Sequence, residues 1–154
     1  MTLMLLGDLA LGFAGFYGRF RLSEGLGSEG YHFLTGLFAA FLSVFAHIMT
    51  MFFFIGTGKM IREAVAEHHL DPAHNAPPLR FKRLHFPLAS LTVTATMAVP
   101  ILGGALHAGK MPREAHLWTA VAALALNLAT TAVAWRLIWV NQALIARVES
   151  EIPA

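Results

Sequence analysis

Five histidines and one aspartate stand where a solvated residue is not expected: Asp8, His32, His47, His85, His107 and His116. Imidazole donates and accepts protons near neutral pH, and it is the common nitrogen ligand of metals and of haem iron. His47 lies in the run FAHIMTMFFF, which offers its ring nothing polar. An ionisable group inside such a run is costly to hold, so it is a candidate for function. His47 follows His32 by 15 residues, which on a helix is about 22 Å of rise and a rotation of about 60°. Both rings can therefore face one interior. His85 and His107 are 22 residues apart, about 33 Å along a helix and about 40° round it. That offset sets His85 about 10 Å from the level of His47 along the axis, so a haem held by both needs tilted helices. Asp8 reaches a depth similar to His47, and the two suit an orienting hydrogen bond or a proton relay. The plainer alternative is a neutral His47 bonded to a backbone carbonyl, or to Thr92, Thr94 or Thr96.

The elements that must position these groups are membrane helices. Residues 32–57 contain no Asp, Glu, Lys or Arg and number 26, about 39 Å as helix against a hydrocarbon core of about 30 Å. The composition agrees, with 56% hydrophobic and 13% charged residues in 154; long uncharged runs of this kind mark an integral membrane protein. The chain reads as one all-α transmembrane domain, 1–154, a four-helix bundle with helices at about 2–18, 31–58, 84–108 and 116–136. Asp8 interrupts the first run, and Arg19 and Arg21 follow it, so it is a retained helix and not a signal peptide. A short polar connection over 20–30 carries Glu24, Glu29 and three glycines. The polar segment 59–83 continues briefly as helix before DPAHNAPP breaks it. Pro100, Gly103 and Gly104 predict a kink in the third helix. Gly109–Ala115 is a tight turn, and beyond Arg136 an interfacial helical tail carries Trp139 after Trp135.

Seven basic residues (Lys59, Arg62, Arg80, Lys82, Arg83, Arg136, Arg147) lie on one side and four (Arg19, Arg21, Lys110, Arg113) on the other. The asymmetry predicts both termini and the 59–83 loop in the cytoplasm, in a bacterial inner membrane. His32, His107 and His116 then share the non-cytoplasmic rim, from three different helices. Three imidazoles at one depth suit a haem iron or, alternatively, a bare metal ion; otherwise they are interfacial residues bonded to water and lipid phosphate. Cofactor candidates are thus His32, His47, His107, His116 and His85, with one or two b haems, and Asp8 with His47 for protons.

Other signals are weaker. A formal charge of +2 gives no case for nucleic acid, and the absence of cysteine excludes disulfides, thiolate metal sites and covalent haem. Glu67, His68, His69, Asp71 and His74 form EHHLDPAH, whose HHxxxxH spacing resembles a histidine box of membrane di-iron hydroxylases and desaturases. A solvated helix end, with adventitious zinc or nickel, is the simpler account. Gly56-Thr57-Gly58-Lys59 lacks the first glycine and the strand of a phosphate loop. Ser43 and Ser90 have no base within evident reach, and Met49, Met51 and Met97 read as packing.

In architecture the chain is similar to small membrane b-type cytochromes, with about four helices, interior histidines and no cysteine. The run from His47 through Gly56 and Gly58 to Arg62 also resembles the bacterial membrane protoporphyrinogen oxidases. These resemblances imply b haem and electron transfer between quinone and a redox partner, with the chain an oxidoreductase or a subunit of one. The alternatives are a non-catalytic accessory subunit packed against a larger respiratory or photosynthetic membrane complex, and a haem-dependent oxidase or metal or proton transporter using Asp8 and His47. Paired interrupted helices and an internal repeat, the marks of many transporters, are not evident. The expected partners are the lipid bilayer, other membrane subunits and quinone.

Overall fold

The computed structural model describes residues 1–21 and 28–153, with side chains 18–29 left undescribed. The described chain is helical: α1 Thr2–Arg21, α2 Ser28–Glu67, a 3₁₀ turn Pro72–Asn75, α3 Ala76–His107 and α4 Arg113–Glu151. Three helices are long and apolar enough to cross a membrane, over Gly30–Glu67, Pro72–His107 and Arg113–Glu151, whereas α1 contributes a shorter apolar stretch, Thr2–Tyr17. Of the expected connection at 20–30, residues 20–21 and 28–30 are helix, while 22–27, with Glu24, and the side chains of Arg19 and Arg21 lie outside the described residues.

The radial distribution of side chains is inverted relative to a water-soluble helical protein. Leu9, Phe13, Phe38, Phe45, Phe52 and Trp118 point outward, while Ser43, Thr92, Thr96, Asn127, Thr130 and Asn141 are buried. Hydrocarbon rewards this arrangement, since it solvates large apolar side chains and leaves polar ones to pair inside. Alanines line the inner faces: Ala39, Ala40, Ala46, Ala89, Ala123 and Ala134 are all enclosed. Small residues allow close backbone approach, which drives helix association where apolar burial alone gives no gain. Helix α1 packs chiefly on α2, α2 on α3 and α3 on α4, with α1 also touching α4. Gly7 fixes the α1–α2 crossing, because a Cβ there would lie 3.0 Å from the Ser43 Cα.

Helix boundaries depart from the sequence expectation in a consistent direction. The third helix starts at Ala76 and not near 84, because Pro77 falls in the first turn, where its missing N–H has no helical partner to lose. It runs through Pro87 and Pro100 as one element. Much of the expected loop 59–83 is therefore helix, and the break is confined to residues 68–75. The fourth helix continues without interruption to Glu151. Its last turns are held by the packing of Ile61 and Val65 of α2 against Val148, with Leu144 and Ile145 alongside. Gly109, at φ +68, closes α3. The Lys110 and Gly109 amides donate to the Ala105 and Leu106 carbonyls, a Schellman arrangement that requires this left-handed residue.

Candidate functional site

The inner faces of α2, α3 and α4 build a polar cluster at mid-span. Asn127 is its centre. Its Nδ2 donates to Thr96 Oγ1 at 2.8 Å and to the Ala123 carbonyl at 2.7 Å. Both amide hydrogens are then used, which fixes the orientation of the group. Its Oδ1 accepts from Ser43 Oγ at 2.5 Å and faces His47 Nε2 at 2.9 Å. Because Oδ1 can only accept, His47 carries a proton on Nε2. His47 Nδ1 is buried without a partner. Asp8 of α1 is buried near enough to His47 to interact with it electrostatically, and beside Thr131 of α4. One carboxylate oxygen of Asp8 and the Thr131 hydroxyl also lack partners.

Toward the end where α2 closes and α3 opens, here the loop end, Thr92 and Thr130 share a hydrogen bond of 2.6 Å. Below them lies His85, fully enclosed with neither ring nitrogen bonded. Its ring sits edge-on to Phe54 at 5.4 Å between centroids, with Phe86 on another side. Phe54 is seven residues beyond His47 on α2, so His85 lies about two turns, or about 10 Å, from the level of His47. His47 and His85 thus occupy successive levels of one interior and do not oppose each other across a single plane.

At the other end, the rim, His32 of α2 and His116 of α4 meet at 6.4 Å between ring centroids, with planes at 80°. Two imidazoles bound from opposite sides to one ion, at about 2 Å per metal–nitrogen bond, have ring centres about 6 Å apart. Nδ1 of each ring is buried and unpartnered, and the His116 ring also reaches the backbone of Val99. A backbone partner for one nitrogen with the other left free is the usual arrangement of a metal-binding histidine. Gly103 makes room for the His116 ring, which a Cβ would approach to 3.2 Å, and Gly36, one turn from His32, has open space beside it. Two histidines from two helices are a donor pair of the kind an iron-centred group uses. His107 is exposed at the end of α3. Among the described residues no three His, Asp or Glu side chains converge as a bare metal ion would require.

The EHHLDPAH segment is distributed over a helix end and a turn. Glu67 closes α2, His69 takes the left-handed conformation at φ 52, and Asp71 accepts from the Ala73 amide at 2.8 Å as the cap of the 3₁₀ turn. His74 Nε2 reaches Glu151 at 2.8 Å, which fastens the turn to the end of α4. Asn127, Thr130, Thr131 and Asn141 were not among the sequence candidates. Their signal was their spacing, since 127, 130/131, 134 and 141 recur at helical period on one face. No protein-family model matches the chain, and no curated protein or solved structure matches it.

Proposed function

We propose that this chain is a membrane-integral b-type haem protein that transfers electrons between quinone and a redox partner, with His32 and His116 as the residues that would hold the haem. The observation that carries this reading is the edge-on approach of two rim imidazoles from different helices at 6.4 Å. A haem there would supply one-electron chemistry. The chain's own contribution is to orient the two rings from α2 and α4, with Gly103 accommodating the His116 ring and open space beside Gly36. The same reading makes the molecule a four-helix bundle with both termini cytoplasmic, the basic loop end inside and α3 kinked at Pro100. His47 and His85 are not ligands in it, because they stand at different levels.

The test is a reduced-minus-oxidised optical spectrum of protein purified after expression with ample haem supply. A red preparation is expected, with haem lost in both His32→Ala and His116→Ala and retained in His107→Ala. A colourless preparation would refute the reading and leave the accessory subunit as its replacement. Full retention in both ligand variants would place the iron elsewhere.

A further inference from the structure

We infer that the groove between α2 and α3 at the loop end holds the phosphate of an anionic phospholipid between Lys82 and Arg62. The inference goes beyond the haem reading and uses neither His32 nor His116. It begins at Gly58, where the two helices meet closely. A Cβ there would come within 3.1 Å of the Pro78 Cβ and 3.2 Å of the Lys82 Nζ. The Lys82 side chain therefore runs across the α2 backbone, with its ammonium group over a residue that offers it no partner. Arg62 stands one turn farther along α2, on the same face as Gly58. It lines a cavity of about 460 Å³ together with His69, Leu70, Pro72 and Asn75, the N-cap of α3. Asn75, Pro78 and Lys82 recur at helical spacing. The ammonium group and the cavity thus belong to one groove, with Lys82 at the level of Gly58 and Asn75 at the level of Arg62.

Charge in this groove is one-sided. Among the described residues Glu63 pairs with Lys59, and Glu151 with His74 and Arg147. Asp71 caps the 3₁₀ turn, and Glu67 lies about 140° round α2 from Arg62. None of these carboxylates serves Lys82, which is half-buried, or Arg62. The two cations are about one turn, or about 6 Å, apart along the axis. Two oxygens of one phosphate, each accepting a charge-assisted hydrogen bond of about 2.8 Å, bridge a gap of that size.

Depth favours a lipid over a soluble anion. The apolar run of α2 ends at Gly58, and the first charge after it is Lys59. On α4, Trp118 and Trp139 are 68% and 67% exposed. They are separated by about 32 Å of helix, close to the hydrocarbon thickness of about 30 Å, as a tryptophan at each interface requires. Leu137 and Phe54 pack in one cluster, so Trp139 and Gly58 share a level to within about 3 Å. The Lys82 ammonium group therefore lies where lipid phosphates lie. The cavity beyond Arg62 receives the headgroup alcohol. On the membrane side, exposed Ile55, one turn before Gly58, and half-buried Phe86, one turn after Lys82, offer apolar surface to an acyl chain.

The test is native mass spectrometry of the full-length protein released from micelles and titrated with dioleoyl phosphatidylglycerol. The parent should retain one molecule, and Lys82→Gln and Arg62→Gln should each weaken its binding about fivefold. Lys82→Arg, which keeps the charge, should bind as the parent does, so that misfolding at this position cannot account for the loss. Arg80→Gln removes an exposed cation about 160° round α3 from Lys82 and should change nothing. Dioleoyl phosphatidylcholine, whose headgroup carries its own cation, should not displace the anionic lipid. Parent-like binding in Lys82→Gln and Arg62→Gln would overturn the proposal. So would equal weakening by Arg80→Gln, which would reduce the effect to general surface attraction. Displacement by glycerol phosphate at the lipid's own concentration would also overturn it, because the groove would then take a soluble phosphate. Haem content enters none of these comparisons, so this proposal and the haem reading fail separately.

Discussion

Asn127 does for this interior what a hydrophobic side chain does for a soluble core, because it ties α4 to α2 and α3 at once. Its four hydrogen-bonding capacities are all used, two as donor and two as acceptor. Asn127→Leu would keep volume but leave the His47 N–H and the Ser43 hydroxyl without an acceptor. Each such orphan costs about 1–3 kcal/mol. The variant should unfold at a clearly lower denaturant concentration in mixed micelles, while Thr119→Val, which removes only a hydroxyl bonded to its own helix, should stay near the parent. An unchanged midpoint for Asn127→Leu would mean that the cluster adds nothing to stability. Half of this site was legible in the sequence. His47 stands out because its neighbours are all apolar, and the rise per residue places His85 on a lower level without a structure. Asn127 does not stand out although Leu126 and Leu128 flank it, since an uncharged amide offers neither a titrating group nor a usual metal ligand. Its role depends on which residues of α2 and α3 come opposite, and a periodicity argument on one helix does not contain that.

At the scale of elements, the helices are longer than the apolar runs that announce them. α2 and α4 have 40 and 39 residues, about 60 Å each, or about twice the hydrocarbon thickness. Charged residues end an apolar run without ending a helix, because Lys, Arg and Glu are good helix formers. The sequence therefore shows where α2 leaves the membrane and not where it stops. The ends lie instead at residues with backbone consequences: Asp71 and Pro72 at the turn, Pro77 in the first turn of α3, and Gly109 after α3. The docking of α1 rests on a different feature, the close approach at Gly7. Met4 Sδ accepts a hydrogen bond from Thr50 Oγ1 at 3.3 Å, one turn from that crossing. Since the chain has no cysteine, a Met4→Cys/Thr50→Cys pair can be joined cleanly by a short bifunctional thiol reagent. Cross-linking should be efficient in that background and should fall sharply when Gly7→Leu is added, because the larger side chain lifts α1 off Ser43. Equal yields with and without Gly7→Leu would mean that the helix is held elsewhere.

At the scale of the molecule the open question is how many times the chain crosses the bilayer, and here length and packing point in different directions. By length, α1 is the weakest span: its described apolar stretch is Thr2–Tyr17, and Asp8 interrupts it. The packing of α1 fits the proposed crossing. It turns Leu5, Leu6, Leu9, Phe13 and Phe16 outward and Met4, Asp8 and Ala14 inward. Its buried aspartate lies within electrostatic reach of His47, in the middle of the most apolar helix of the chain. A helix of 20 residues extends about 30 Å, enough for one crossing with little to spare. Asp8 is tolerable there only because it faces inward to a histidine and a hydroxyl and away from lipid. A helix lying flat at the interface could not bring Asp8 to the level of His47, so the proposed four-helix bundle requires α1 to cross. Four crossings put the two termini on one side, whereas three would put them on opposite sides. Reporters fused at Met1 and after Ala154 should therefore mark the same compartment. An insertion reporter at His74 should mark that compartment too, and one at Gly25, outside the described residues, the opposite one. With seven basic residues at the loop end against four at the rim, the shared compartment should be the cytoplasm. Termini on opposite sides would remove α1 from the membrane, and with it the carboxylate from the mid-span cluster.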